Sequence, residues 1–447
     1  MLDVNSGAVH LLDDISYAVS GLLDENMGDT CPQSIIDALP DYTADEIREA
    51  YDELYELKKA GQLFAQDDYI DVSRYIPVNA PVKALCLHVA HDCNLRCQYC
   101  FASTGDFGQG RKIMPPEIAK KAIDFVIARS GVRHNIEVDF FGGEPLMAWD
   151  TVTQTVDYAR SLEEKYNKKF RFTITTNGLL LDEDKRKYIN ENMDNCVLSL
   201  DGRREVNDEF RKTVAGTGSY DTIVPKFKAL VDERDPNLDY YARGTFTSHN
   251  LDFAEDVLSI ADAGFDRLSV EPVTADPGCG YDLTEDDLPK IEAEYDRLTD
   301  IMLERKKEGK PFTFFHFMVD LDQGPCVVKR LRGCGAGYEY VAVTPDGDIY
   351  PCHQFVGKDE FKQGSVLDQS FNMDIAQKFA GMNIYSRPKC QKCWAKFYCS
   401  GGCSAANYNM NHDMNDSYDL GCEMERKRLE CAIYLKAMDK ICANQSK

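Results

Sequence analysis

Between Pro81 and about Lys310, short apolar runs alternate with longer stretches in which apolar residues return every three or four positions. The short runs predict strands at Lys83–Val89, Asn135–Phe141, Phe170–Thr175, Asn195–Leu200, Tyr240–Thr247 and Arg267–Glu271. The periodic stretches predict helices at Pro116–Ala128, Thr151–Tyr166, Glu183–Asn190, Val224–Val231, Phe253–Ala263 and Glu285–Lys306. A strand followed by a helix, six times over, is the pattern of parallel βα units. Six units fall short of the eight that close a barrel, so an α/β chain with an open, partial (β/α)6 barrel is predicted.

The flanks read differently. Residues 1–76 carry a strand-turn-strand pattern from Leu2 to Leu12 through Asn5-Ser6-Gly7. They also carry an amphipathic helix from Ala44 to Gly61, with Ile47, Tyr51, Leu54 and Tyr55 at helical spacing and Leu57 at the edge of the stripe. This region is compositionally separate and holds no catalytic motif. Three domains follow: 1–76, the barrel over 81–310, and a cysteine-dense region over 311–447.

Composition narrows the partners. A chain of 447 residues with 43% hydrophobic content fills real cores. Acidic residues number 75 against 51 basic ones, and the resulting charge of −24 disfavours nucleic acid or an anionic membrane. No apolar run approaches the roughly 20 residues that cross a bilayer, and the start Met1-Leu2-Asp3-Val4 lacks a signal-peptide pattern, so a cytoplasmic location is expected. In such a compartment 17 cysteines point to metal or cluster ligation rather than disulfides.

The first group stands just after the first predicted strand, in His91-Asp92-Cys93-Asn94-Leu95-Arg96-Cys97-Gln98-Tyr99-Cys100-Phe101. Three thiolates on one tight loop can hold three irons of a 4Fe-4S cube and leave the fourth open to a ligand. Zinc is the alternative, although structural zinc ordinarily uses paired C-x-x-C units. The second strand runs into Asp139-Phe140-Phe141-Gly142-Gly143-Glu144-Pro145, where glycines allow close backbone approach and Glu144 can accept from an ammonium group. The third and fourth strands end in Thr175-Thr176-Asn177-Gly178 and Leu198-Ser199-Leu200-Asp201-Gly202, and Glu271 ends the sixth as a weaker candidate for lining the cavity. A second cysteine series comprises Cys334, Cys352 after Gly347, Cys390, Cys393, Cys399, Cys403 and Cys422. Cys31, Cys86, Cys196, Cys279, Cys431 and Cys442 are expected to act as small apolar residues.

These motifs resemble the radical S-adenosylmethionine (radical SAM) enzymes, and the second series resembles the SPASM extension of their peptide-modifying members. The resemblance implies S-adenosylmethionine and three 4Fe-4S clusters as cofactors. Cys93, Cys97 and Cys100 would ligate the cluster that binds S-adenosylmethionine, and Gly142, Gly143 and Glu144 would hold its amine. Ser199 and Arg211 would contact its ribose and carboxylate, and Tyr99 would lie near its adenine. Cys334, Cys352 and Cys403 would serve the nearer auxiliary cluster, where Cys326 either supplies the fourth ligand or, not binding, leaves an iron open to a substrate thiolate; Cys390, Cys393, Cys399 and Cys422 would complete the distal one.

Over its whole length the chain resembles maturases of the six-cysteines-in-forty-five (SCIFF) peptides, within the ranthipeptide and sactipeptide group. Leu2-Asp3-Val4-Asn5-Ser6-Gly7 and Gly333-Cys334-Gly335-Ala336-Gly337-Tyr338-Glu339-Tyr340 carry this further likeness. It implies a thioether crosslink made in a cysteine-rich precursor peptide, a winged-helix-like amino-terminal domain that binds the peptide's leader, and a low-potential donor such as ferredoxin or flavodoxin. Sulfatase-maturing relatives place a basic aspartate where this chain has His353, so formylglycine formation is the lesser expectation. Carbon-carbon crosslinking, epimerisation and a non-catalytic iron-sulfur or zinc scaffold are the other readings.

Overall fold

The computed structural model describes residues 1–74, 80–321 and 330–445. Its centre is one mixed sheet. Strands β1 (Ala84–His91), β3 (Asn135–Gly142), β4 (Lys169–Thr176), β5 (Asn195–Ser199), β6 (Asp239–Phe246) and β7 (Arg267–Pro272) pair in parallel in that order, and β8 (Thr313–Phe314) adds to β7. Helices α5 (Pro116–Arg129), α6 (Trp149–Tyr166), α7 (Glu183–Asn192), α8 (Tyr220–Asp232), α9 (Phe253–Asp262) and α10 (Leu288–Lys307) cover the outer face. Alternation along each strand explains the packing: Leu85, Leu87 and Val89 of β1, Val138 and Phe140 of β3 and Phe172 and Ile174 of β4 join the core beneath the helices. Their neighbours turn to the concave face.

The sheet does not close. From the other edge of β1 it continues through β9 (Tyr340–Val343), parallel to β1, and then antiparallel through β10 (Asp348–Tyr350), β11 (Gly364–Ser365) and β12 (Ser370–Phe371). The short β2 (Lys112–Ile113) pairs with the end of β1. Lying between β9 and β3 buries β1 at all eight positions, and it brings the carboxyl-terminal cysteine region onto the same sheet as the first cysteine loop.

The amino-terminal unit is mostly helical: α1 (Asp14–Ser20), α2 (Gln33–Ala38), α3 (Ala44–Lys59) and α4 (Tyr69–Arg74). Thr43 and Glu46 form a reciprocal capping box that starts α3, and Ile47, Tyr51 and Leu54 are buried with Val19 in a separate core. The expected strand-turn-strand is a tight turn closed by a single bridge, Leu2 to Val9. Asp3 explains it, because its carboxylate takes the amide (2.9 Å) and hydroxyl (2.7 Å) of Ser6 and folds the segment on itself. Asp67 docks this unit onto the carboxyl-terminal region through Lys396 (2.6 Å) and the Tyr385 hydroxyl (2.7 Å). Among the described residues, no helix is long and apolar enough to cross a membrane.

Candidate functional site

The first cysteine loop leaves β1 at the carboxyl edge of the sheet and is held from several sides. Arg96 N donates to Lys212 O (2.7 Å), Gln98 N to Phe210 O (3.3 Å) and the Tyr281 hydroxyl to Gln98 O (3.0 Å). Cys93 Sγ accepts from Leu95 N (3.4 Å) and Asn177 Nδ2 (3.6 Å). Burial, with the Glu144 carboxylate and the thiols of Cys97 and Cys100 adding to it, pushes the Cys93 thiol up to about 12. Cys97 is pushed to about 12 by burial, partly offset by Arg211 and reinforced by Cys100. Cys93 and Cys97 therefore stay protonated until a cationic centre arrives to compensate their thiolates.

The glycine turn after β3 exists to let two backbones touch. Gly143 N donates to Ala90 O (2.7 Å) and Glu144 N to Asp92 O (2.9 Å), which ties the turn to the entrance of the cysteine loop. A Cβ at Gly143 would lie 2.1 Å from Asp92 O, and one at Gly142, whose φ is +127°, would lie 2.2 Å from Ala90 O. Glu144 is only 1% exposed. Its Oε1 accepts from Leu146 N (3.0 Å) and Thr176 Oγ1 (2.7 Å), and its Oε2 from Asn177 N (2.8 Å), which leaves Oε2 acceptor capacity for one more donor. Burial, opposed by those three bonds, raises its carboxyl to about 7.

A buried aspartate, passed over in the sequence as part of an Asp-Gly turn, organises the next strand end. Asp201 takes Arg211 Nε and Nη2 in a fork (both 2.9 Å), the Tyr99 hydroxyl (2.6 Å) and Thr245 N (2.9 Å). Tyr99 thereby lies 5.5 Å from the Arg211 guanidinium and 5.4 Å from the Phe210 ring. Arg211 is therefore linked to the cysteine loop through Asp201 and Tyr99, and its Nη1 and one Nη2 N–H remain for another ligand. Ser199 ends β5 in register with Arg243 of β6. Arg243 pairs with Glu271 on the concave face, where Ser269 Oγ also meets His316 Nε2 (3.1 Å). Asn177, Asp201, Arg243 and His316 were not singled out from sequence, since each is an ordinary turn or strand residue until the sheet assembles them.

The second series sorts into two neighbourhoods. Cys352 lies within electrostatic range of Cys403 and Cys334, whereas Cys422 senses Cys390 and Cys393, and Cys399 senses Cys422 and Cys390. Burial pushes Cys352 and Cys399 to about 12 and Cys422 to about 11. Cys326 lies outside the described residues. Cys86, Cys196 and Cys431 are buried as expected of apolar residues and Cys31 is half-buried, but Cys279 and Cys442 are exposed. Among the described residues, no three His, Cys, Asp or Glu side chains close on a single-ion site.

Between the two cysteine regions lies a cleft of about 500 Å³. Tyr99, Cys100 and Phe101 line one side, His353, Gln354 and Val356 the other, with Thr274 and Tyr281 along the rim. Phe101 is 49% exposed and, with Phe141, brackets the His353 ring at 5.4 and 5.1 Å. His353 Nδ1 lies 3.4 Å from the Tyr340 hydroxyl, and burial lowers the imidazole to about 4, so the ring is neutral at pH 7.

Residues 87–238 match the radical SAM superfamily, and residues 334–394 match the SPASM iron-sulfur cluster-binding domain. The chain pairs a radical SAM domain with a SPASM domain. It is 25% identical over 354 residues to a cysteine-type anaerobic sulfatase-maturating enzyme of Clostridium novyi, covering 74% of this chain and 90% of that one. A radical SAM cyclopropyl synthase of Paramaledivibacter caminithermalis is 24% identical over 353 residues, covering 74% and 70%. Among solved structures, native anSMEcpe with bound AdoMet superposes with a TM-score of 0.67 at 21% identity, covering 82% of this chain and 100% of that one. Streptococcus suis SuiB bound to S-adenosylmethionine gives 0.53 at 18% identity, covering 92% and 93%.

The cofactors are accordingly S-adenosylmethionine and multiple 4Fe-4S clusters. The donor set of the radical SAM and SPASM domains fits them: soft thiols gathered in separate groups, and beside the first group a backbone turn stripped of Cβ atoms.

Proposed function

We propose that this protein is a radical SAM peptide maturase that joins a cysteine sulfur to a carbon within a cysteine-rich, ribosomally made peptide, in the manner of the SCIFF maturases. The observation that carries the reading is the cleft with Cys100 on one wall and His353, the neighbour of Cys352, on the other. A peptide lying there meets both cysteine regions at once. In this reading Cys93, Cys97 and Cys100 ligate the first cluster, and Tyr99, Gly142, Gly143, Glu144, Ser199 and Arg211 line the S-adenosylmethionine site. Cys334, Cys352 and Cys403 hold the nearer auxiliary cluster, and Cys390, Cys393, Cys399 and Cys422 the distal one.

Cys93, Cys97 and Cys100 would hold the first cluster, which with S-adenosylmethionine would supply radical hydrogen abstraction, and Cys334, Cys352 and Cys403 would hold the nearer auxiliary cluster, which would supply one-electron redox capacity beside the peptide thiol. The chain supplies position. Phe101 and Phe107, packed edge to face, give the peptide an apolar surface on the wall of the cleft. Asp201, through Tyr99 and Arg211, fixes the loop that carries the first three thiols. The neutral His353 offers no carboxylate where sulfatase-maturing enzymes use one, which favours thioether closure over formylglycine.

Residues 1–76 are proposed to hold the peptide's leader. Supporting this is a cleft of about 610 Å³ between the segment Val9–Asp13, α3 and the carboxyl-terminal helix Asp419–Gln445, lined by Leu11, Leu12, Leu54, Leu57 and Lys436. The radical SAM and SPASM domains in 81–310 and 311–447, a ferredoxin- or flavodoxin-type donor and a cytoplasmic location complete the proposal. It is tested by anaerobic turnover with such a peptide: 5′-deoxyadenosine release that requires the peptide supports it, and release indifferent to the peptide refutes it.

A further inference from the structure

The two SPASM cysteine neighbourhoods share one buried cation. Arg387, at the amino end of the short helix Pro388–Gln391, is 3% exposed. Its Nη1 donates to Gly401 O, its Nη2 to Ser404 Oγ (3.0 Å), and its Nε has no partner among the described residues. Its contacts tie it to both sets: Gly401 lies between Cys399 and Cys403 in the chain, Ser404 follows Cys403, and the helix that Arg387 starts carries Cys390, while the thiols of Cys390, Cys399, Cys403 and Cys334 are the leading side chains that bear on its charge. The backbone is shaped around it, since a Cβ at Gly401 (φ +89°) would fall 2.2 Å from Arg387 Nη1.

Among the described residues, the other buried guanidiniums, Arg211 and Arg234, are compensated. Arg211 has the fork to Asp201. Arg234 has no carboxylate but satisfies Nε, Nη1 and Nη2 on Asp239 O, Asn190 Oδ1 and Met193 O. Arg387 has neither, and a buried charge without a counter-charge is strongly unfavourable. The compensation available at this position is the negative charge of thiolate-ligated clusters.

We propose that Arg387 is the shared counter-cation of the two auxiliary clusters, placed between them to raise the reduction potential of both. The proposal rests on the assignment of the two cysteine sets as cluster ligands. Reduction adds an electron to an already anionic cluster, so a fixed cation close by favours the reduced form. Arg387 acts through the clusters and is a positioning residue.

The test compares reconstituted full-length protein with its Arg387→Met and Arg387→Lys variants, by iron and sulfide content and by reductive titration followed by electron paramagnetic resonance. Arg387→Met is expected to keep full iron while both auxiliary potentials fall by ~59 mV, a tenfold change in the one-electron equilibrium constant. The first cluster is expected to stay unchanged and Arg387→Lys to recover most of the shift. Full iron with unmoved auxiliary potentials in Arg387→Met overturns the proposal. Should Arg387→Met lose auxiliary iron, Arg387→Lys decides: wild-type loading and potentials support the charge role, and failure to load overturns it in favour of a purely structural one. Wild-type protein that carries a single cluster would instead refute the ligand assignment itself.

Discussion

Replacing Gly143 with alanine is the most local way to disturb the site. The φ of Gly143 lies outside the left-handed region, so the new methyl group acts through contact alone. It would sit 2.1 Å from Asp92 O and 2.5 Å from Asp92 C, where ordinary contact begins at 3.4 Å, so the chain entering the cysteine loop must move by roughly 1 Å. That movement breaks the bonds from Gly143 N to Ala90 O and from Glu144 N to Asp92 O, each worth about 1 kcal/mol. Overpacking adds about 1–3 kcal/mol, for a total of about 3–5 kcal/mol. Displacement of the cysteine loop by that distance is expected to cut 5′-deoxyadenosine formation on the order of 10²-fold. Denaturant unfolding of the iron-free chain measures the first effect, and anaerobic single-turnover assays of reconstituted protein measure the second. A Gly143→Ala variant with wild-type unfolding and turnover would refute the claim that the two backbones must touch here.

Three further outcomes follow from the same geometry. Asp201→Asn strands the Arg211 guanidinium in a buried site and is expected to cost about 3–5 kcal/mol in unfolding free energy, whereas a loss below 1 kcal/mol would show that Asp201 organises little. Glu144 is held at about 7 against 4.5 when unfolded; an acid raised on folding contributes stability that is full below 4.5 and is lost as pH rises through about 7. Between pH 5 and 8 the iron-free protein should therefore lose at most about 3 kcal/mol from this group, and Glu144→Gln should flatten that part of the profile; an unchanged slope in the variant would refute the assignment. Asp67→Asn leaves Lys396, whose side chain is 6% exposed, without its carboxylate, and is expected to cost about 1–3 kcal/mol, with faster hydrogen exchange in α4 and unchanged exchange in α6 as the measurable signature.

The barrel was legible because each βα unit is specified by its own residues. Strands alternate, helices repeat, and the six strands form within a residue or two of the predicted positions. Missed elements were those whose identity depends on a distant partner. Tyr340–Val343 is short and becomes a strand by pairing with β1, more than two hundred residues earlier, and Thr313–Phe314 does the same on β7. At the amino terminus the predicted strand pair is reduced to one bridge around an aspartate-centred turn, because the Asp3 carboxylate takes the amide and hydroxyl of Ser6 and folds the segment locally. At the site, thiol spacing and the glycine pair announce themselves in sequence. Asp201, Asn177 and Arg387 do not, since their roles come from what is folded around them.

The central claim is carbon-sulfur closure in a cysteine-rich peptide, and mass spectrometry of the product tests it most directly. A precursor peptide incubated anaerobically with reconstituted protein, reductant and S-adenosylmethionine is exhaustively reduced and alkylated before analysis. The expected product is two hydrogens lighter than the precursor, and one of its cysteines resists alkylation. A peptide whose cysteines all alkylate, or one carrying formylglycine in place of cysteine, would contradict it.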